Sequence, residues 1–133
     1  MMKNKKNKRE IRSYIGLYLK ELREQNNQTM EFMAKELGVS STFLAHVEYG
    51  LKNIPETMMR KIQKNYKLSN EEYERLEKAA EKSKIKVTID LRYSSNLKRE
   101  LMITFSKKFD EIDENTCKKI LNIINEIHPD NNC

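Results

Sequence analysis

Two short stretches with helical apolar spacing, one ending at Leu37 and the other starting near Ser41, are separated only by Gly38, Val39 and Ser40. A link that short, with a glycine in it, does not let two helices continue end to end. Gly38 follows the last apolar residue of the first stretch and supplies a left-handed turn at little steric cost. Val39 is apolar and plugs the angle between the stretches, and Ser40 is a strong N-cap for the second. The two helices are therefore expected to cross steeply. The linker also opens a run of ten uncharged residues, Gly38 to Val47, in a chain that is 35% charged. Such a run is either buried or faces something better read by hydroxyls and an imidazole than by charges.

The flanking sequence places three more helices around this pair. Ile15, Tyr18, Leu19 and Leu22 recur at helical spacing from Tyr14 to Gln25, and the polar "EQNNQ" ends that helix. Thr29 caps the helix of Met30, Met33, Ala34 and Leu37; the next runs from Ser41 to Glu48 and closes at Gly50. Pro55 takes the first position of a fourth helix with Met58, Met59, Ile62 and Tyr66. "SNEE", Ser69 to Glu72, is a capping box for a fifth through Tyr73, Leu76 and Ala80. Met30, Met33, Met58 and Met59 read as core filler.

Beyond residue 84 the pattern changes. Ile85, Val87, Ile89 and Leu91 alternate with Lys86, Thr88 and Asp90, which predicts a half-buried strand. A lone strand leaves its backbone groups unpaired. It is expected to pair antiparallel with its copy in a second subunit, the alternative being an extended connector packed on the fifth helix. Leu97, Leu101, Phe105 and Phe109 mark one further helix; Cys117, Ile120, Leu121, Ile124 and Ile127, with Asp113 as N-cap, mark another. Together these two predict a helical hairpin that buries its apolar face against a partner hairpin or the preceding domain. The expected organisation is a basic flexible arm over 1–13, a helix-turn-helix domain over 14–84, and a dimerisation or partner-binding region over 85–133.

What the third helix can bind follows from its two faces. Val39, Leu44 and Val47 point inward, which turns Ser41, Thr42, Ala45 and His46 outward. That outer face is slim, polar and uncharged, and it lies near a helix N-terminus, where backbone N–H groups favour phosphate. It suits the major groove, where base edges meet hydroxyl and imidazole groups and Ala45 can touch a thymine methyl. Charge points the same way. The net +6 is concentrated at the start, where residues 1–12 hold six Lys or Arg against Glu10 alone.

Other classes find no support. There is no glycine-rich phosphate loop, no HExxH and no nucleophile–base arrangement, so neither catalysis nor a cofactor is expected. His46, Cys117, His128 and Cys133 lack zinc-site spacing. No apolar run approaches the roughly 18 residues of a membrane span. The basic start has no apolar segment behind it to make a secretory signal, and two unpaired cysteines suit a reduced, cytoplasmic setting.

Residues 15–68, through "TMEFMAKELGVSSTFLAHVEYG", resemble the Xre/Cro-like helix-turn-helix family. The resemblance implies an all-α, five-helix Cro/repressor-like domain, here followed by the short strand and the C-terminal helical hairpin. It implies that Ser41, Thr42 and His46 read bases and that Gln28, Thr29, Tyr49, Lys52 and Asn53 hold phosphates. It also implies an ion pair between Arg23 and Glu48. Met30 stands where the family usually has a glutamine, and Ser41 and Thr42 are short, so their base contacts are expected to run through water. The function implied is a homodimeric repressor on double-stranded DNA, of the kind found in prophages and mobile elements. The alternative is an antitoxin-type module whose 85–133 region binds a protein partner while the protein autoregulates its promoter.

Overall fold

The computed structural model describes residues 11–128. Every regular element among them is helical: α1 (Tyr14–Gln25), α2 (Met30–Leu37), α3 (Ser41–Glu48), α4 (Glu56–Asn65), α5 (Asn70–Glu81), α6 (Asn96–Lys108), a 3₁₀ turn (Phe109–Glu111) and α7 (Glu114–Asn125). Short polar side chains set where most of these helices begin. The side chains of Ser13, Thr29, Ser40, Ser69, Ser95 and Asp113 each accept a backbone N–H of the first turn, satisfying a donor that has no intrahelical partner. Only α4 lacks such a cap, and there Pro55 is the N-cap itself, one residue earlier than its spacing predicts.

At α5 the cap is reciprocal. Ser69 Oγ accepts the Glu72 N–H at 3.1 Å and Glu72 Oε1 accepts the Ser69 N–H at 2.8 Å. Ser69→Ala is expected to lower stability by about 1 kcal/mol, read as a reduced urea midpoint at unchanged slope. An unchanged midpoint would mean that water serves those donors equally well.

The first five helices enclose one apolar core. Ile15, Leu19 and Leu22 from α1 meet Met33, Ala34 and Leu37 from α2, Leu44 and Val47 from α3, Met58 and Ile62 from α4, and Leu76 from α5. Met30 and Met59 pack half-buried against it. α1 lies against α3 and α5, and α2 against α3 and α4, so α3 is held from two sides and leaves one face free. Between α4 and α5 the chain turns at Lys67, whose φ of 52° lies in the left-handed region. A glycine would occupy that conformation with less strain.

The chain divides into two units between Val87 and Thr88. Residues 1–10 of the expected basic arm lie outside the described residues. Arg12 and Ser13, assigned to that arm from sequence, belong instead to the first folded unit: Ser13 caps α1, and Arg12 is ion-paired to Glu48.

Two expectations for the remainder are corrected. The strand over 85–91 does not form, and among the described residues there is no strand at all. With no neighbouring strand the backbone has no ladder to join. The Ile85 N–H bonds Asn53 Oδ1 at 3.2 Å, and Asp90 draws the Arg92 N–H into a local turn at 2.9 Å. Nor are these side chains buried as those of a packed connector would be: Ile85, Val87 and Ile89 are all more than half exposed. The hairpin is corrected as well. α6 and α7 both form, but they do not pack on one another, and neither buries a residue.

Candidate nucleic-acid interface

The turn between α2 and α3 is fastened by backbone bonds. Gly38, at φ 72°, donates to the Lys35 carbonyl at 3.1 Å, and Val39 donates to the Ala34 carbonyl at 3.0 Å. Val39 half-buries its side chain against the core, which holds the crossing angle of the pair. Ser40 then opens α3 by accepting the Phe43 N–H at 3.0 Å.

α3 is two turns long and divides cleanly. Leu44, Val47 and Glu48 are buried; Ser41 and Thr42 are exposed, and Ala45 and His46 are half-exposed. Thr42, Ala45, His46 and Tyr49 follow the i, i+3, i+4, i+7 spacing of a single stripe. The chain after α3 stays attached to it, because the Leu51 and Lys52 N–H groups both donate to the His46 carbonyl, at 2.8 and 3.2 Å. Exposed Lys52 is thus held at the end of the outward face.

Beneath that face lies a buried charge cluster. Arg23 grips Glu48 with both terminal nitrogens, Nη1 on Oε2 and Nη2 on Oε1, the latter at 3.1 Å. Arg23 Nη1 also points at Met33 Sδ, 3.5 Å away. Arg12 Nε reaches the same Oε1 at 3.2 Å. The Glu48 side chain is 0% exposed and that of Arg12 22%. One carboxylate shared by two guanidiniums leaves a net positive charge, and Arg12 carries it nearer the surface. Its guanidinium stacks over the Tyr49 ring, 4.9 Å from the centroid. Arg12 was missed from sequence because its partner is 36 residues away and nothing local marks it off from the lysines before it.

The phosphate candidates are held in ways that leave donors free. Gln28 is anchored by its backbone N–H on the Arg23 carbonyl at 2.9 Å, and its side-chain carbonyl accepts the Tyr66 hydroxyl. Burial pushes the Tyr66 phenol upward, with the Glu36 carboxylate adding to the shift, so the hydroxyl keeps the proton it donates. The Asn53 side-chain carbonyl is likewise taken, by the Ile85 N–H. In both amides the acceptor end is occupied and the NH₂ end remains, which is the sign a phosphate requires. The Thr29 hydroxyl oxygen accepts the Phe32 N–H at 3.0 Å and still has a proton to give.

Residues 19–72 match the helix-turn-helix family model. This segment is an Xre/Cro-like helix-turn-helix domain. A domain of that family marks a DNA-binding transcriptional regulator, in a family that is generally not enzymatic. No curated protein and no solved structure matches the chain. Among the described residues, no group of three His, Cys, Asp or Glu is placed to hold a metal ion. No helix there is long and apolar enough to cross a membrane.

Proposed function

We propose that the protein is a homodimeric, cytoplasmic, sequence-specific repressor that occupies an inverted-repeat operator and acts by blocking a promoter. One observation carries the reading. Within two turns α3 buries Leu44, Val47 and Glu48 while leaving Ser41 and Thr42 exposed, so the helix is fixed by one face and free to enter a groove with the other. In this reading Ser41, Thr42, Ala45 and His46 meet base edges. Gln28, Thr29, Tyr49, Lys52 and Asn53 hold the backbone on either side, and Arg12 adds a charge beside Tyr49. Dimers of this motif span half-sites roughly 34–36 Å apart, one turn of the duplex.

Selection of bound sequences from a random DNA library tests it. The expected product is an inverted repeat. Thr42→Ala and His46→Ala should each relax the consensus at particular base pairs by about 1–3 kcal/mol. Lys52→Ala should instead weaken binding to all sequences and lower the salt slope by about one unit. Base preferences unchanged in both α3 variants would mean that another element reads the sequence. A second protein retained through residues 85–133 would favour the antitoxin reading.

A further inference from the structure

Among the described residues of the second unit, α6 and α7 bury no side chain. α6 and α7 have 13 and 12 residues, and each is capped by a side chain. Helices of that length are marginal in water without tertiary packing. Leu97 on α6 is 75% exposed and Leu101 61%, and Leu121 and Ile124 on α7 are more than half exposed. Only residues 109–113 join the two helices. Phe109 spends that link on its own side, packing edge-on against Phe105 of α6 at 5.9 Å between centroids. The hairpin that would cover both stripes is left open.

Charge indicates what closes it. α6 carries Lys98 and Arg99 at its start and Lys107 and Lys108 at its end, against Glu100 alone. Asp110, Glu111, Asp113 and Glu114 gather where α7 begins, and Glu126 follows its last turn. An antiparallel α6–α7 pair sets Lys107 and Lys108 beside Asp113 and Glu114, and brings Lys98 and Arg99 within a turn of Glu126. Lys118 and Lys119 then fall opposite the uncharged stretch Leu101 to Ser106. Pairing α6 antiparallel with another α6 would set cations against cations at both ends, which complementary interfaces avoid.

We propose that two copies of the chain exchange these helices, α6 of each lying antiparallel on α7 of the other, to close a four-helix arrangement with two-fold symmetry. The proposal rests on the homodimer reading above and names its surface. Exchange covers the leucine, isoleucine and phenylalanine stripes of both chains at once, and it needs no refolding of the 109–113 link.

Complementary charge reversal tests it on the full chain by light scattering. Variant one is Lys107→Glu with Lys108→Glu. Variant two is Asp110→Lys with Glu111→Lys and Glu114→Lys, which turns the acidic start of α7 basic and leaves the Asp113 cap in place. The unaltered protein should scatter at twice the 15.9 kDa chain mass. Each variant alone should scatter at the single mass, with the dimer dissociation constant raised by about 100-fold or more. An equal mixture should return to the double mass, because each reversed α6 then meets a reversed α7. A hairpin closed within one chain would place both reversals on separate molecules and would gain nothing from mixing. Variants that stay dimeric alone, or a mixture that stays monomeric, would overturn the exchange while leaving the dimer reading intact. A monomeric unaltered protein would overturn both, and base reading by α3 would still stand or fall on the selected DNA sequences.

Discussion

Gly16→Ala is expected to destabilise the protein by about 3 kcal/mol or more, at the upper end of what overpacking costs. The sign is opposite to the usual one. In an open helix, replacing glycine with alanine stabilises by about 1 kcal/mol, because alanine loses less backbone freedom on folding. Gly16 lies in the first turn of α1, but a Cβ there would stand 2.1 Å from the Glu48 carbonyl oxygen and 2.8 Å from its carbon. Backbone cannot swing aside as a side-chain tip can. The same oxygen is pinned by the Ser13 N–H at 2.9 Å and the Ser13 hydroxyl at 3.1 Å. Making room would therefore strip the α1 cap from α3 and shift the helix proposed to face DNA. Urea unfolding measures the loss, and affinity for the selected operator should fall with it even at temperatures where the variant stays folded. Equal or higher stability for the variant would show that α1 and α3 do not approach this closely.

Gly16 also shows where reading from sequence stops. Signals written within a few residues were legible: Thr29, Ser40, Ser69 and Asp113 as caps, Gly38 as a left-handed stop, and the inward Leu44 and Val47 of α3. Each depends on chain chemistry the neighbouring residues already contain. Gly16 and Arg12 answer to Glu48, more than thirty residues away, so their neighbourhood carries no sign of the role. Lys67 adopts a left-handed turn without the glycine that would have announced it. The alternation from Ile85 to Leu91 failed for a related reason. Period two records which side chains share a face, whereas a strand exists only once another backbone supplies the ladder. The stripes on α6 and α7 likewise say that a face needs covering without saying which surface covers it.

The Glu48 carboxylate is expected to be the most sensitive single side chain in the domain. Glu48→Gln keeps the shape and removes the charge, leaving Arg23 buried with no anion and Arg12 with one partner fewer. Breaking a buried pair from one side costs about 3–5 kcal/mol, a large part of the 5–15 kcal/mol that holds a typical domain together. At about 4–8 °C per kcal/mol for a domain of this size, the thermal midpoint should fall by more than about 10 °C. Arg12→Ala should cost far less, about 1 kcal/mol, because its side chain keeps some contact with solvent. The decisive comparison is Arg23→Met combined with Glu48→Leu. If the cost of Glu48→Gln is chiefly that of an unpaired buried cation, the double variant should recover much of the lost stability, since apolar groups of similar volume often replace a buried pair at little cost. Its α3 would then be fixed by packing alone. Full recovery of stability with weakened operator binding would assign the cluster to holding the helix in register for DNA. Losses that simply add would mean that Arg23 and Glu48 act through separate contacts, and the shared cluster would not be what anchors the helix.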